Sequence, residues 1–485
     1  MRRRVDNQVL LPNSDVSAEE QAILTRLLQQ LELKQTRNML RDSYYDGRRA
    51  INQVGTIIPP QYYKLAIVLG WSAKAVDTLA DRCNLDGFVW PDGDLGSVGF
   101  QEVYDKNYFG TEINSAITQS LLHGVSFLIN TVGDTSIGEP AGCIHVKDAR
   151  NATGTWDARG RRLDNLLSVT SRDQSGSITG LALYLNDVTI TAEKDDSGWS
   201  VDRTEHSWGV PAEPMVYRYR TGRPFGTSRI SRSVMSLHDM ALRTVIRMEG
   251  HADTYSFPEM WLMGADESIF KNADGTQKAV WQVMLGRIKA IPDDDEATNP
   301  RADVKQFSAS SPQPHIDQLK QQAQLFSGET SIPLTSLGVS DMSNPTSADS
   351  YVASREDLIA RAEAATDDYS RPLRRAMARA LAMQNNLKEI PAEWSSIQPK
   401  WRSPIYLSRA QQADAGMKQV TAIPWLAETS LGLELLGLDD QQIQRAMSEK
   451  RRAQGALAAI QALQNAQNAA LKQDQRVNDL TGSNQ

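Results

Sequence analysis

The order of elements between Ser228 and Gln384 constrains this fold most. Ile230, Val234, Leu237, Ala241, Val245 and Met248 recur at helical spacing, and Arg232, Ser236, Asp239, Arg243 and Arg247 fall off that stripe. The pattern predicts one amphipathic helix to about Tyr255, about 40 Å long at 1.5 Å per residue, capped by Ser228 and stopped by Pro258. Read alone, the stripe is ordinary core packing. Residues 257–311 then carry strand-like pieces, Trp261-Leu262-Met263 and Arg287-Ile288-Lys289-Ala290-Ile291. Ile316, Leu319 and Ala323 mark a shorter helix ending near Phe326. A loop follows from Gly338 to Ser350. A second long helix carries Val352, Ile359, Ala362 and Tyr369, with Ser347 as its cap and Pro372 predicted to kink it. This order suits an assembly protein, whose paired helices build a wall, better than a compact enzyme domain.

Upstream, Ser17 and Glu20 have capping-box spacing, and Ile23, Leu24, Leu27, Leu28 and Leu31 continue helically from near Ala18. Further helices are predicted over Leu65 to Arg82 and Glu112 to His123, the latter stopped by Gly124 ahead of a buried strand, Val125 to Ile129. Short strands alternate with polar turns from Ile144 to Tyr219, which predicts an antiparallel sheet. The first part of the chain is therefore α+β. The tail from Gln441 is rich in Gln and Ala, and reads as an exposed helix that frays at its end.

With 485 residues, the chain is long enough for two or three cores. A formal net charge of -7 excludes a protein that grips DNA by neutralising phosphates, but not one that surrounds DNA. Cys83 and Cys143 lie in apolar or helical contexts and read as buried free thiols in a reducing compartment. Met1-Arg2-Arg3-Arg4 has no apolar run behind it, and no stretch is long enough to span a membrane. A basic disordered tip is the plain reading of those arginines.

Catalytic signatures are missing from the sequence. It has no Walker loop, no H-E-x-x-H, no paired C-x-x-C and no G-x-S-x-G. His238 and Asp239 lie on the long helix, and His238 reads as a solvated or interface histidine rather than a catalytic one. The run Asp293, Asp294, Asp295, Glu296 is consecutive, whereas cation loops alternate their acids around a glycine, so it reads as a solvated or channel-facing loop. No cofactor and no metal ligand is assigned.

Several segments, taken in order, resemble the Siphovirus gp6-like portal family of tailed double-stranded DNA phages. They are Ser43-Tyr44-Tyr45-Asp46-Gly47, the stretch from Trp71 to Arg82 with Gly87-Phe88, and Gly222 to Ile230. Phe307 to Pro312, Ile332-Pro333-Leu334, Asn344-Pro345-Thr346-Ser347-Ala348, Ser408 to Ala415 and Leu436-Gly437-Leu438 complete the series. The resemblance covers roughly residues 40–450. It implies a portal fold with an α+β wing, a helical stem, a small α/β clip, a kinked tunnel helix and a helical crown. Carried over by position, residues 1–227 and 351–404 are wing, 228–256 and 312–327 stem, 257–311 clip, 328–350 connection and tunnel loop, and 405–485 crown. Asp341, Met342, Ser343, Asn344, Pro345, Thr346 and Ser347 become the DNA-facing loop, and the acidic run falls in or near the clip.

The resemblance further implies a homo-oligomeric ring, usually of twelve subunits, at one capsid vertex of the virion, assembled in the host cytoplasm. Its partners would be double-stranded DNA, the terminase large subunit, the major capsid and scaffolding proteins and a head-tail adaptor, with no membrane. Without a nucleotide site, the chain would leave the work of packaging to a separate ATPase. A scaffold or neck adaptor without a DNA channel is the alternative; scaffolds lack a clip-like insert and adaptors are usually much shorter.

Overall fold

The computed structural model describes residues 9–12, 14–48, 67–196, 198–255, 259–263, 271–276, 288–291, 303–307, 310–339, 355–406 and 409–482. Arg2 to Arg4, Leu65, Pro258, the acidic run Asp293 to Glu296, the loop Asp341 to Ser347 and Val352 lie outside the described residues. Two compact units make up the chain, one up to Pro404 and one from Ile405.

In the first unit α1 spans Ala18–Tyr45. Its capping box is closed: Glu20 N–H donates to Ser17 Oγ at 3.3 Å, and Ser17 N–H to the Glu20 carboxylate at 2.7 Å. Leu24, Leu27, Leu28 and Leu31 are buried. After α2 (Trp71–Ala80), β1 (Leu85–Val89), α3 (Phe100–Lys106) and α4 (Phe109–His123), Gly124 at φ 102° ends the helix and turns the chain into β2 (Val125–Val132). The helix predicted from Leu65 thus begins at Trp71, and the one predicted from Glu112 begins a turn earlier.

Strand β3 (Gly142–Asp148) pairs antiparallel with β2. An antiparallel meander follows in sheet order β4 (Ala152–Asp157), β5 (Arg162–Arg172), β6 (Ile178–Tyr184), β7 (Val188–Asp195) and β8 (Gly198–Glu205). Strand β9 (Ala212–Val216) returns to the free side of β2. Leu167, Val169, Leu181, Leu183 and Ile190 of the meander close a core against the apolar face of α1. The period-two alternation of these strands gives one face to that core, while Leu163, Leu166, Ala182 and Tyr184 of the other face close a second core with Val125, Phe127 and Ile129 of β2 and Ala212 and Val216 of β9.

The helix α5 spans Arg232–Tyr255. Beyond it β10 (Glu259–Met263) lies between β11 (Ile288–Ile291), parallel to it, and β12 (Asp303–Phe307), antiparallel. Helix α6 (Gln313–Thr330) runs a turn past the predicted end at Phe326. Helix α7 spans Glu356–Gln384 and contains Pro372. It is the axle of the main core: Leu358, Ala362, Ala365, Tyr369, Leu373, Ala376, Met377 and Ala380 are buried against α2, α4 and β2, β3 and β9. Small residues let sheet and helix close in. An added Cβ on Gly142 would collide with the backbone of Ala380. Strand β13 (Gln398–Trp401) then pairs antiparallel with β1, tying the C-terminal end of this unit to the segment after α2.

The second unit is helical: α8 (Arg409–Ala422), α9 (Ser430–Leu435) and α10 (Asp440–Gly482). Thr429 Oγ1 accepts from Gly432 N–H at 3.1 Å and starts α9. Asp439 and Gln442 bond reciprocally at 2.8 and 3.2 Å and start α10. From Arg451 to Ala469 every residue of α10 is exposed, as the polar tail composition predicts.

Candidate functional site: the paired helices and their anchors

Helices α5 and α6 lie side by side and antiparallel. His251, near the C-terminal end of α5, stacks edge-on to His315, near the start of α6, with ring centroids 5.3 Å apart. At the other end Ser231 Oγ approaches the Glu329 carboxylate at 3.5 Å. The three-stranded insert β10–β12 connects the far ends. Its antiparallel β10–β12 pairing carries the chain out from α5 and back into α6.

Of the stripe residues, Ile230, Val234 and Ala241 are buried, and Leu237, Val245 and Met248 are half-buried. The buried face also holds His238, Leu242, Thr244 and Ile246. It therefore widens around the helix toward its C-terminal half, where Leu242 and Ile246 meet Ile67 and Leu69. His238 corrects the solvated-histidine expectation. Only 2% exposed, it bonds through Nδ1 to Ser72 Oγ at 2.9 Å and packs edge-on against Tyr44. Burial lowers its pKa, with Asp239 acting the other way. Asp239 is not free either, since Tyr44 O–H donates to its carboxylate at 2.8 Å.

The expected cap is also displaced. Ser228 Oγ donates to Leu122 C=O at 2.6 Å and accepts from Ile230 N–H at 3.0 Å, while Ser231 Oγ takes the Val234 N–H at 3.2 Å and starts α5. Gly226, at φ 63°, makes the preceding turn possible, because a Cβ there would strike the Tyr217 carbonyl.

Arg229 is the joint that sequence reading missed. It is buried, with Nη2 donating to Thr330 C=O at 2.7 Å, Nη1 to Tyr217 O–H at 3.3 Å, and Nε to Ala75 C=O. Thr330 ends α6, so the guanidinium sits at the negative end of a helix dipole and occupies a carbonyl with no intrahelical partner. Desolvation pushes its pKa below the usual arginine range, and Tyr217 opposes that shift. One side chain thus ties the start of α5 to the end of α6 and to α2. The only signal was an arginine at a glycine-rich turn just ahead of an apolar run.

The loop expected to face DNA lies outside the described residues, but its supports do not. Leu337 is buried, and Leu334 and Val339 pack on the main core on one side; Leu358 and Ile359 are buried on the other. Arg361 Nε donates to Ser331 Oγ at 2.8 Å, linking α7 to the turn after α6. The exposed face of α6 is neutral over most of its length, presenting Gln313, Gln318, Gln321, Gln324 and Leu325, with Asp317 held by Gln313 at 2.8 Å.

Glu213 of β9 holds two arginines of α7. Arg379 Nη2 lies 2.8 Å and Arg375 Nε 3.2 Å from the same carboxylate oxygen, and Arg379 Nη1 donates to Asn130 Oδ1 at 3.0 Å. Both cysteines are free and buried, and burial pushes the Cys83 thiol up to about 12. Among the described residues no group of three or more His, Cys, Asp or Glu side chains is placed to hold a metal ion, and no helix is long and apolar enough to cross a membrane.

A long-helix pair with a strand insert at its tip is the arrangement the sequence resemblance requires. The family model "Phage portal protein, SPP1 Gp6-like" matches residues 24–456. The chain belongs to this portal protein family. The portal protein of Mycobacterium phage L5 is 24% identical over 382 residues, covering 78% of this chain and 77% of that protein. That of Mycobacterium phage D29 is 25% identical over 384 residues, with the same coverage. Among solved structures, a chain from the neck of a native gene transfer agent particle computed with C12 symmetry is 15% identical, with a TM-score of 0.39 over 76% of this chain and 90% of that one. A neck chain from an empty particle of the same kind, computed with C6 symmetry, is 14% identical with a TM-score of 0.41 at the same coverage.

Proposed function

We propose that copies of this chain close into a ring, usually of twelve, at one capsid vertex, and that duplex DNA passes through its centre during packaging and ejection. Family membership over residues 24–456 is the observation that carries this reading. In it, α5 and α6 are the stem, the β10–β12 sheet belongs to the clip, and the unit from Ile405 is the crown. The loop through Asp341 to Ser347 projects toward DNA, and the acidic run Asp293 to Glu296 lies in the clip. The clip faces the terminase large subunit, and later a head-tail adaptor; capsid and scaffolding proteins meet the outer surface.

The physical demand on such a channel is low friction. Every lysine or arginine that meets a phosphate adds salt-dependent affinity, which turns a track into a brake. The net charge of -7, the loop without lysine or arginine from Asp341 to Ser347 and the amide-rich face of α6 all fit that demand. Stiffness is the second demand: Arg229 and His238 support it by locking the stem to the core, which the Glu213 cluster ties together. A defined packaging assay with the Asp341→Lys/Ser343→Lys variant is the test. Slower packaging by assembled rings supports the reading, and unchanged speed contradicts a DNA-proximal loop.

A further inference from the structure

A closed ring needs two different faces on each subunit that fit each other. The two sides of the five-stranded meander carry exposed clusters of opposite charge.

At the β4 side, the turn joining β4 to β5 places Arg161 and Arg162 on a cleft of about 530 Å³, whose other wall is the middle of α7. Arg371 and Pro372 line that wall. Trp156 and Tyr219, with ring centroids 6.3 Å apart, form an aromatic side to the cleft. Arg375, also in the cleft, is engaged by Glu213 at 3.2 Å. Arg162 has only a distant partner in Asp157, at 4.0 Å. Arg161, Arg162 and Arg371 are all exposed. The cleft therefore presents cations in excess beside apolar rings.

At the opposite edge, β8 is an outer strand. The β7–β8 hairpin and the turn before it expose Asp187, Glu193, Asp195, Asp196, Asp202 and Glu205. Against them stand only Lys194 and Arg203, and Arg203 is already paired with Glu20 at 3.0 Å. The two edges are separated by four strand spacings, about 19 Å. They cannot neutralise each other within one sheet.

We propose that the cleft of Arg161, Arg162 and Arg371 receives the acidic β8 edge of a second copy of this chain. Asp202 and Glu205 pair with the arginines, and the Trp156–Tyr219 wall covers the aliphatic stems of the docked side chains. The inference rests on the ring reading above and names the contact that closes the ring. DNA is the competing occupant of a basic cleft. The acidic β8 edge is the complement that this chain itself supplies, and a net charge of -7 disfavours a polyphosphate on the chain as a whole.

Native mass spectrometry of the full chain tests this with three variants: Arg161→Glu/Arg371→Glu, Asp202→Lys/Glu205→Lys, and the two combined. All positions are exposed, so thermal unfolding of each variant should match the parent. Each single-sided reversal should lower the ring fraction at least about tenfold, through like charges set face to face. The combined variant should recover rings, since the attraction is restored with its sign exchanged. Rings that survive both reversals would overturn this contact and leave the ring reading standing. Loss of salt-dependent DNA binding with rings intact would likewise overturn it, and assign the cleft to DNA. Parent chains that never form rings would overturn both readings.

Discussion

His238 sets how single residues respond to conditions. Its folded pKa lies below the unfolded value of 6.5, because burial disfavours the imidazolium. Above that value both states are neutral and its contribution is complete. As pH falls through it the unfolded chain takes up a proton that the folded one refuses, so stability is lost toward the folded pKa. His145 and His206 are shifted in the same direction by burial and act in the same window. Thermal unfolding should therefore fall as pH drops from 7 to 5, and His238→Gln, which cannot titrate, should flatten part of that slope. An unchanged slope contradicts the buried-histidine account. Glu20 acts lower down: Arg203 holds it at about 2, so its contribution is lost as pH falls from its ordinary value of 4.5 toward 2. The Glu213 cluster is the more costly one to break. Glu213→Ala strands the buried Arg379 and frees the half-buried Arg375, and should cost about 3–5 kcal/mol in urea unfolding, whereas Arg203→Ala at the surface should cost under about 1 kcal/mol. Equal costs would show that the Glu213 pairing is not the buried contact described. None of the three was legible from sequence, because the partners are far apart in the chain. Ser72 precedes His238 by 166 residues, and Glu213 also precedes Arg379 by 166. The Ser17–Glu20 box was legible because both partners fall in one turn.

At the scale of elements, the α5–α6 pair depends on its joints as much as on its stripe. The periodicity located α5 and the N-terminal half of its buried face. It missed Leu242 and Ile246, because segment 67–69 covers a second side of the helix there and no local pattern records that. Replacing Arg229 by methionine removes the bonds to Thr330, Ala75 and Tyr217 while keeping an unbranched apolar stem. Hydrogen exchange in the last turn of α6 should then rise by about tenfold or more, with α7 unaffected, since the buried Thr330 C=O loses its donor and the helix end its anchor. Uniform acceleration through both helices would instead mean global destabilisation. The amide face of α6 gives a second prediction. Gln318→Lys/Gln321→Lys should leave α6 folded, since both positions are exposed, and should add a salt-dependent drag on DNA if that face lines the channel. Packaging rates with an unchanged salt dependence would place α6's amides away from DNA.

At the scale of the whole molecule, the order of elements proved more informative than any motif. Long helix, strand insert, shorter helix and long helix recur in the structure in that sequence, with the insert folded as a β11-β10-β12 sheet. What one chain does not specify is its closure. The exposed apolar side chains Trp425, Leu431 and Met417 of the second unit, and the uncovered run from Arg451 to Ala469, are surfaces that a single copy leaves unused. Charge follows the same logic, with a basic cleft and an acidic edge that satisfy each other only between copies. Electron microscopy of the purified full chain, with two-dimensional averaging, tests the central claim most directly. Closed rings with a central hole wide enough for duplex DNA are the expected result. Compact dimers or tetramers without a channel would contradict it.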